Sequence, residues 1–169
     1  MKRWLVGFLA VSLIWPWPAI ALDLQGLYEQ ALNASRSGDF VQALPLWDRV
    51  LEQSPQDAAA LSNRGNVRLA LGDLDGAIED QTRSISLAPD EADPHLNRGT
   101  AEEALKDWPA AAADYLWILE RQPDDASALY NLGNVRGSEG DWHGARDLYG
   151  KASLARPGFA MARSSEALA

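Results

Sequence analysis

The residues of this chain best equipped for chemistry are two histidines, a few clustered carboxylates and some arginines. Their spacing argues against a reaction centre. His95 and His143 are 48 residues apart, and neither stands at the short intervals at which histidines and carboxylates share a metal ion. Asp73-Leu74-Asp75-Gly76 opens like a calcium loop but lacks the later ligands and the glutamate at position twelve. Asp90, Glu91 and Asp93 crowd a turn ahead of an expected helix, where acids suit the positive end of the helix dipole. The chain has no cysteine, which excludes thiolate nucleophiles, zinc fingers, iron–sulfur clusters and disulfide scaffolds. It carries no glycine-rich phosphate loop and no serine-nucleophile elbow. The expectation is a protein that is not an enzyme and has no catalytic, cofactor-binding or metal-binding residues.

What the fold must position, then, is a surface. The 169 residues, 47% of them hydrophobic, are one domain's worth of material and too apolar for a disordered acidic chain. Fifteen basic residues against 24 acidic ones give a net charge of −9, which argues against a nucleic-acid partner because phosphate binding needs a concentrated basic surface. Residues 1–21 read as an export signal: Lys2 and Arg3, then the uncharged stretch Trp4 to Trp15, then Pro16-Trp17-Pro18 to end any helix, then Ala19-Ile20-Ala21 as a cleavage site. The alternative is a retained membrane anchor, since Trp4 to Leu22 is free of charge. A helix ending at Trp15 would be about 18 Å long, short of a hydrocarbon core of roughly 30 Å. Cleavage after Ala21, export by the general secretory route and no stable membrane anchor thereafter are expected, in a bacterial periplasm or a thylakoid lumen. Cleavage removes two basic residues and no acid, leaving a net charge of −11.

The rest of the chain repeats. Pro55, Pro89, Pro123 and Pro157 fall at intervals of 34 residues, as do Asp39, Asp73, Asp107 and Asp141, and Ala43, Ala77, Ala111 and Ala145. Gly65, Gly99 and Gly133 form a further column, and Gly38, Gly72 and Gly140 another in which Lys106 takes the third place. This period and these residue types resemble the tetratricopeptide repeat, a helix–turn–helix unit. The resemblance implies an all-α solenoid, a right-handed superhelix of four units at residues 24–57, 58–91, 92–125 and 126–159, with a short capping helix at 160–169. Met161 and Leu168 would cover the end of the stack, which a solenoid needs because each unit leaves an apolar face for the next.

Each column has a physical reason. Gly65, Gly99 and Gly133 mark where paired helices cross too closely for a side chain. The Gly-Asp pairs end one helix through a positive φ and cap the next with a carboxylate. The alanines let the second helix nest on the first, and the prolines stop it. Arg64 and Arg98 occur with Asp80 and Asp114 sixteen residues on, while the outer repeats carry Gln30 with Leu46 and Leu132 with Leu148. The columns switch together, so each arginine is expected to pair with its aspartate rather than to form an anion site. Pro45 is expected to make its helix begin late, and Gly137 and Gly150 to loosen the last repeat at about 1 kcal/mol each. His95 stands where the family usually has a large apolar residue and is expected to pack; His143 is expected to be exposed.

In this family the first helix of each repeat lines a concave groove. Carried over, the groove positions are Tyr28 and Glu29; Ser62, Asn63 and Asn66; Leu96, Asn97 and Thr100; and Tyr130, Asn131 and Asn134. A row of asparagines offers donors and acceptors that hold an extended backbone whatever its side chains. Family members that bind acidic chaperone tails do so through a basic clamp. The matching positions here hold no lysine or arginine, and Glu29, Asp93 and Glu103 stand nearby, so an acidic tail would be repelled. The expected partner is another protein, met through a neutral or basic segment. The alternative is a self-association module that forms a homodimer through residues 126–169.

Overall fold

The computed structural model describes residues 17–157. Among these the chain forms eight α-helices and no strand: α1 (Trp17–Arg36), α2 (Phe40–Gln53), α3 (Ala58–Leu71), α4 (Leu74–Leu87), α5 (Ala92–Ala104), α6 (Trp108–Arg121), α7 (Ala126–Ser138) and α8 (Trp142–Ala155). Of the expected export signal, residues 1–16 lie outside the described residues, and so does the expected cap at 160–169 with Met161 and Leu168. Helix α1 opens at Trp17, with Pro18 in its first turn, where its missing amide is no loss. The position after Ala21 falls inside α1.

Local chemistry sets every boundary. The second helices α2, α4, α6 and α8 are capped by Asp39, Asp73, Asp107 and Asp141, whose carboxylates accept from the backbone amides of Gln42, Gly76, Ala110 and Gly144 at 2.9–3.3 Å. The residue before each cap adopts a left-handed conformation, at φ 78° in Gly38, 84° in Gly72 and 86° in Gly140. Lys106 takes it at φ 63° without being glycine, at a cost of about 1–2 kcal/mol. Pro45 corrects the expectation of a late start: α2 begins at Phe40, and Pro45 sits inside it on an exposed face. The carbonyl left without an amide is that of Val41, a residue 77% exposed.

Consecutive helices pack against each other, and in addition α1 touches α3, α3 touches α5 and α5 touches α7, while no comparable contact joins successive second helices. The helices that crowd together lie on the inside of the curve, so α1, α3, α5 and α7 form the concave face of an all-α solenoid of four hairpins. Ala43, Ala77, Ala111 and Ala145 are buried at the hairpin crossings. A methyl group on Gly99 would lie 2.7 Å from the ring of wholly buried Tyr115, and one on Gly133 would lie 2.5 Å from Tyr149. Gly99→Ala is therefore expected to destabilise by about 1–2 kcal/mol, helix propensity offsetting part of the overpacking. Gly26→Ala, within α1 and with nothing inside 4 Å of the added carbon, is expected to stabilise by up to about 1 kcal/mol. Urea unfolding of the two variants checks the contrast.

The apolar core is not continuous. One cluster joins α1, α2 and α3 around Trp47, Val50, Leu61 and Val67, and a second joins α6 and α7 around Tyr115, Leu132 and Val135. Between them α4 buries Asp80, Gln81 and Ser84. The middle of the solenoid is held by polar side chains, and those side chains shape the concave surface.

Candidate functional site

Arg64 and Arg98 are structural, as their columns imply. Arg64 donates from Nε to Asp80 Oδ2 at 2.8 Å and from Nη2 to Asp80 Oδ1 at 2.7 Å, and its Nη1 reaches Asp48 Oδ1 at 2.8 Å. Arg98 makes the same bidentate pair with Asp114 at 2.7 and 2.8 Å and reaches Thr82 Oγ1 at 3.1 Å. Each guanidinium thus ties its own hairpin together and holds it to the one before. His95 is buried, stacks on Trp117 at 3.8 Å and meets Asp114 Oδ1 through Nδ1 at 2.8 Å. It packs, and it also takes a place in the Arg98–Asp114 network. His143 is exposed in the first turn of α8.

The concave face is polar, and the chain's second helices supply much of its order. From one column, Trp47, Gln81, Tyr115 and Tyr149 each send a donor through the core to a first helix. Trp47 Nε1 donates to Ser35 Oγ at 2.9 Å, Gln81 Nε2 to Asn66 Oδ1 at 3.0 Å, Tyr115 OH to Glu103 Oε2 at 3.1 Å, and Tyr149 OH to Asn134 Oδ1 at 3.1 Å. Sequence reasoning passed over this column and its polar tips. The 34-residue spacing of the column was the available signal.

The expected groove residues divide into two groups. In the second repeat, Ser62, Asn63 and Asn66 line a cleft of about 400 Å³ between α3 and α5, closed on its far wall by Glu91, Asp93 and Pro94. Asn63 and Asn66 also border a second cleft of about 270 Å³ between α1 and α3, where Leu32, Arg36 and Phe40 stand. Both asparagines therefore sit on a ridge that can be reached from two sides. Asn63 donates from Nδ2 to the Ala59 carbonyl at 2.9 Å. Tyr28 is half-buried with its edge against Trp47 at 4.9 Å, and burial raises its pKa.

In the third and fourth repeats the groove positions are engaged within the fold. Thr100 donates to the Leu96 carbonyl at 2.8 Å, and Thr100 and Asn131 both act on the Tyr115 hydroxyl, whose pKa burial drives up. Asn134 accepts from Tyr149 and also interacts with Glu103. Burial raises the Glu103 pKa, and its hydrogen bonds to Tyr115 and Asn134 pull it back down. Leu96 packs into the second apolar cluster, and Tyr130 packs beside Leu129 and lies 5.4 Å from Tyr149. Asn97 is half-buried between the two groups. The structure brings Ser62, Asn63 and Asn66 together at an open cleft, and turns Thr100, Asn131 and Asn134 toward the core's hydroxyls.

Among the described residues no group of three or more histidines, cysteines and acids is placed to hold a metal ion, and no helix is long and apolar enough to cross a membrane. The concave face presents amides, hydroxyls and carboxylates that can donate and accept hydrogen bonds.

Comparison with known proteins agrees with this geometry. Tetratricopeptide repeat protein 36 of Danio rerio is 34% identical over 69 residues, 41% of this chain and 37% of that protein. Its counterpart in Mus musculus is 35% identical over 66 residues, 39% of this chain and 33% of that protein. The match thus spans about a third of the length of these relatives. Among solved structures, MamA superposes with a TM-score of 0.73 at 26% identity, over 82% of this chain and 81% of that one. MamA 41-end from Desulfovibrio magneticus RS-1 gives a TM-score of 0.77 at 18% identity, over 86% and 82%, a likeness of fold alone. Proteins built on this repeat generally act by contact with other proteins. Residues 28–92 and 96–158 match the family described as tetratricopeptide repeat, and with that coverage and these four hairpins the chain belongs to the tetratricopeptide repeat family.

Proposed function

We propose that this protein is a non-enzymatic scaffold or assembly factor that captures a segment of another protein on its concave face. The observation that carries this reading is the ridge of α3, where Asn63 and Asn66 stand between two open clefts. Asparagine side chains so placed hold an extended backbone by donating to carbonyls and accepting from amides. The reading includes export through the N-terminal segment, after which the protein would work in a periplasm or a thylakoid lumen.

The test replaces Asn63 and Asn66 with alanine and repeats a pulldown from the native compartment. Loss of at least one partner with helix content intact is the expected result. Unchanged recovery of every partner would remove the concave face from the mechanism. Self-association is the competing reading, and exposed Trp142 and Leu154 on α8, at 60% and 82%, favour it. A concentration-dependent dimer indifferent to the asparagine variants, with no other protein recovered, would put it in first place.

A further inference from the structure

The cleft between α3 and α5 has its donors and acceptors set by the core beneath it. Gln81 is wholly buried on α4, and its Nε2 donates at 3.0 Å both to the Ser62 carbonyl and to Asn66 Oδ1. A carbonyl only accepts, so the Ser62 contact settles which end of the Gln81 amide is nitrogen. That in turn settles that the Asn66 atom facing it is oxygen. With Oδ1 held from below, Asn66, an exposed residue, turns its Nδ2 donors outward.

The opposite wall is acidic. Glu91 stands in the same column as Asp57 and Asp125, whose carboxylates cap α3 and α7 by accepting from Ala60 and Ala128 at 2.9 and 2.7 Å. Glu91 makes no capping bond, and it lines the cleft together with Asp93. No lysine or arginine lines this cleft; Arg36 lines the neighbouring one, between α1 and α3. About 400 Å³ is room for one long side chain and the backbone that carries it, and lies at the small end of ligand sites.

We infer that the α3–α5 cleft is a subsite for an extended polypeptide carrying a lysine or arginine. Asn66 Nδ2 donates to a main-chain carbonyl of the partner, and Glu91 and Asp93 receive the cationic side chain. Gln81 is the positioning residue that keeps Asn66 in its donating orientation. The subsite rests on the reading that the concave face captures a protein segment, and adds to it the chemistry of that segment.

The column that holds Gln81 also supplies the control. Tyr149, in the same column, crosses over Gly133 as Gln81 crosses over Gly65, and its hydroxyl donates to Asn134 Oδ1. Gln81→Tyr therefore keeps a donor aimed at Asn66, while Gln81→Leu keeps bulk and removes it. The probe is a blocked, fluorescein-labelled Gly/Ser peptide with one central lysine, titrated against the full chain by anisotropy at low salt. Matched peptides carry glutamine or glutamate at the centre. The lysine peptide is expected to bind about tenfold more tightly than the glutamate peptide, the scale of one charge-assisted contact. Glu91→Gln with Asp93→Asn abolishes that preference. Gln81→Leu and Asn66→Ala each weaken the lysine peptide about five- to tenfold, and Gln81→Tyr restores it to within about twofold. Asn66 is exposed, so its variant reports on binding even where Gln81→Leu disturbs folding.

Equal affinity for the three peptides, no binding of the lysine peptide, or full binding by Asn66→Ala would each overturn the subsite. If the pulldown still depends on the groove asparagines, the wider reading of the concave face survives that result. If the pulldown is indifferent to them, the wider reading fails on its own account.

Discussion

Arg64→Ala is expected to lower the unfolding free energy by about 3–5 kcal/mol, the loss that follows when one member of a buried ion pair is removed. Asp80 is 0% exposed, and Arg64 gives it two of its hydrogen bonds, at 2.8 and 2.7 Å. The same guanidinium holds Asp48 on α2, so the variant also unties the first hairpin from the second. Those bonds to Asp80 outweigh burial and push the arginine's pKa further up, so the guanidinium keeps its charge. Arg68 Nη1 remains 3.1 Å from Asp80 Oδ2 and limits the damage. The fourth repeat indicates how the cost can be recovered, because Leu132 and Leu148 occupy the corresponding columns there and pack with the second apolar cluster. Arg64→Leu combined with Asp80→Leu is therefore expected to regain most of the loss, since neither charge is left to be desolvated alone. Urea denaturation of parent, single and double variants measures this directly. A single-variant loss below about 1 kcal/mol would mean that water screens the pair as it does at a surface.

That pairing was legible before any coordinates, because two columns sixteen residues apart switch together within one chain. The helix caps were legible for a similar reason: a glycine followed by an aspartate specifies both a left-handed turn and an acceptor for the next helix, and only Lys106 broke the pattern without breaking the turn. Pro45 misled, because a proline near a helix start reads as a boundary, yet the missing amide falls on an exposed face that tolerates it. The concave face was legible in position but not in availability. Thr100, Asn131 and Asn134 occupy groove positions by their spacing, and what engages them comes from Tyr115 and Tyr149 on the other helix of the hairpin. Spacing along one helix carries no information about a hydroxyl that arrives through the core from another. The same blindness hid Gln81, whose column otherwise holds aromatic residues and whose amide determines how Asn66 faces the cleft.

The third repeat carries a charge imbalance that makes stability depend on pH. Glu102 occupies the column in which Arg68 lies 3.1 Å from Asp80, so that where the second repeat gives its buried aspartate a second cation, the third gives Asp114 a second acid. The Glu102 side chain is 13% exposed, and its Oε2 is buried without a hydrogen-bond partner. Burial first, then Asp114 and Asp107, raise its pKa, and Arg98 at 3.8 Å only partly offsets them, leaving it pushed up to about 7. The folded chain therefore holds this proton more tightly than the unfolded chain, where a glutamate titrates at about 4.3. Its contribution to stability is fully present below that value, falls as pH rises toward about 7, and is absent above it. Glu102→Gln is expected to unfold at nearly the parent's urea midpoint near pH 4 and to be more stable by about 2–3 kcal/mol at pH 8. Glu102→Arg is expected to remove the same pH dependence by giving Asp114 the cation that Arg68 gives Asp80. Subtracting each variant from the parent between pH 4 and 8 cancels what the two proteins share. A difference that stays flat across that interval would show that Glu102 keeps its charge in water and that Asp114 needs no second cation.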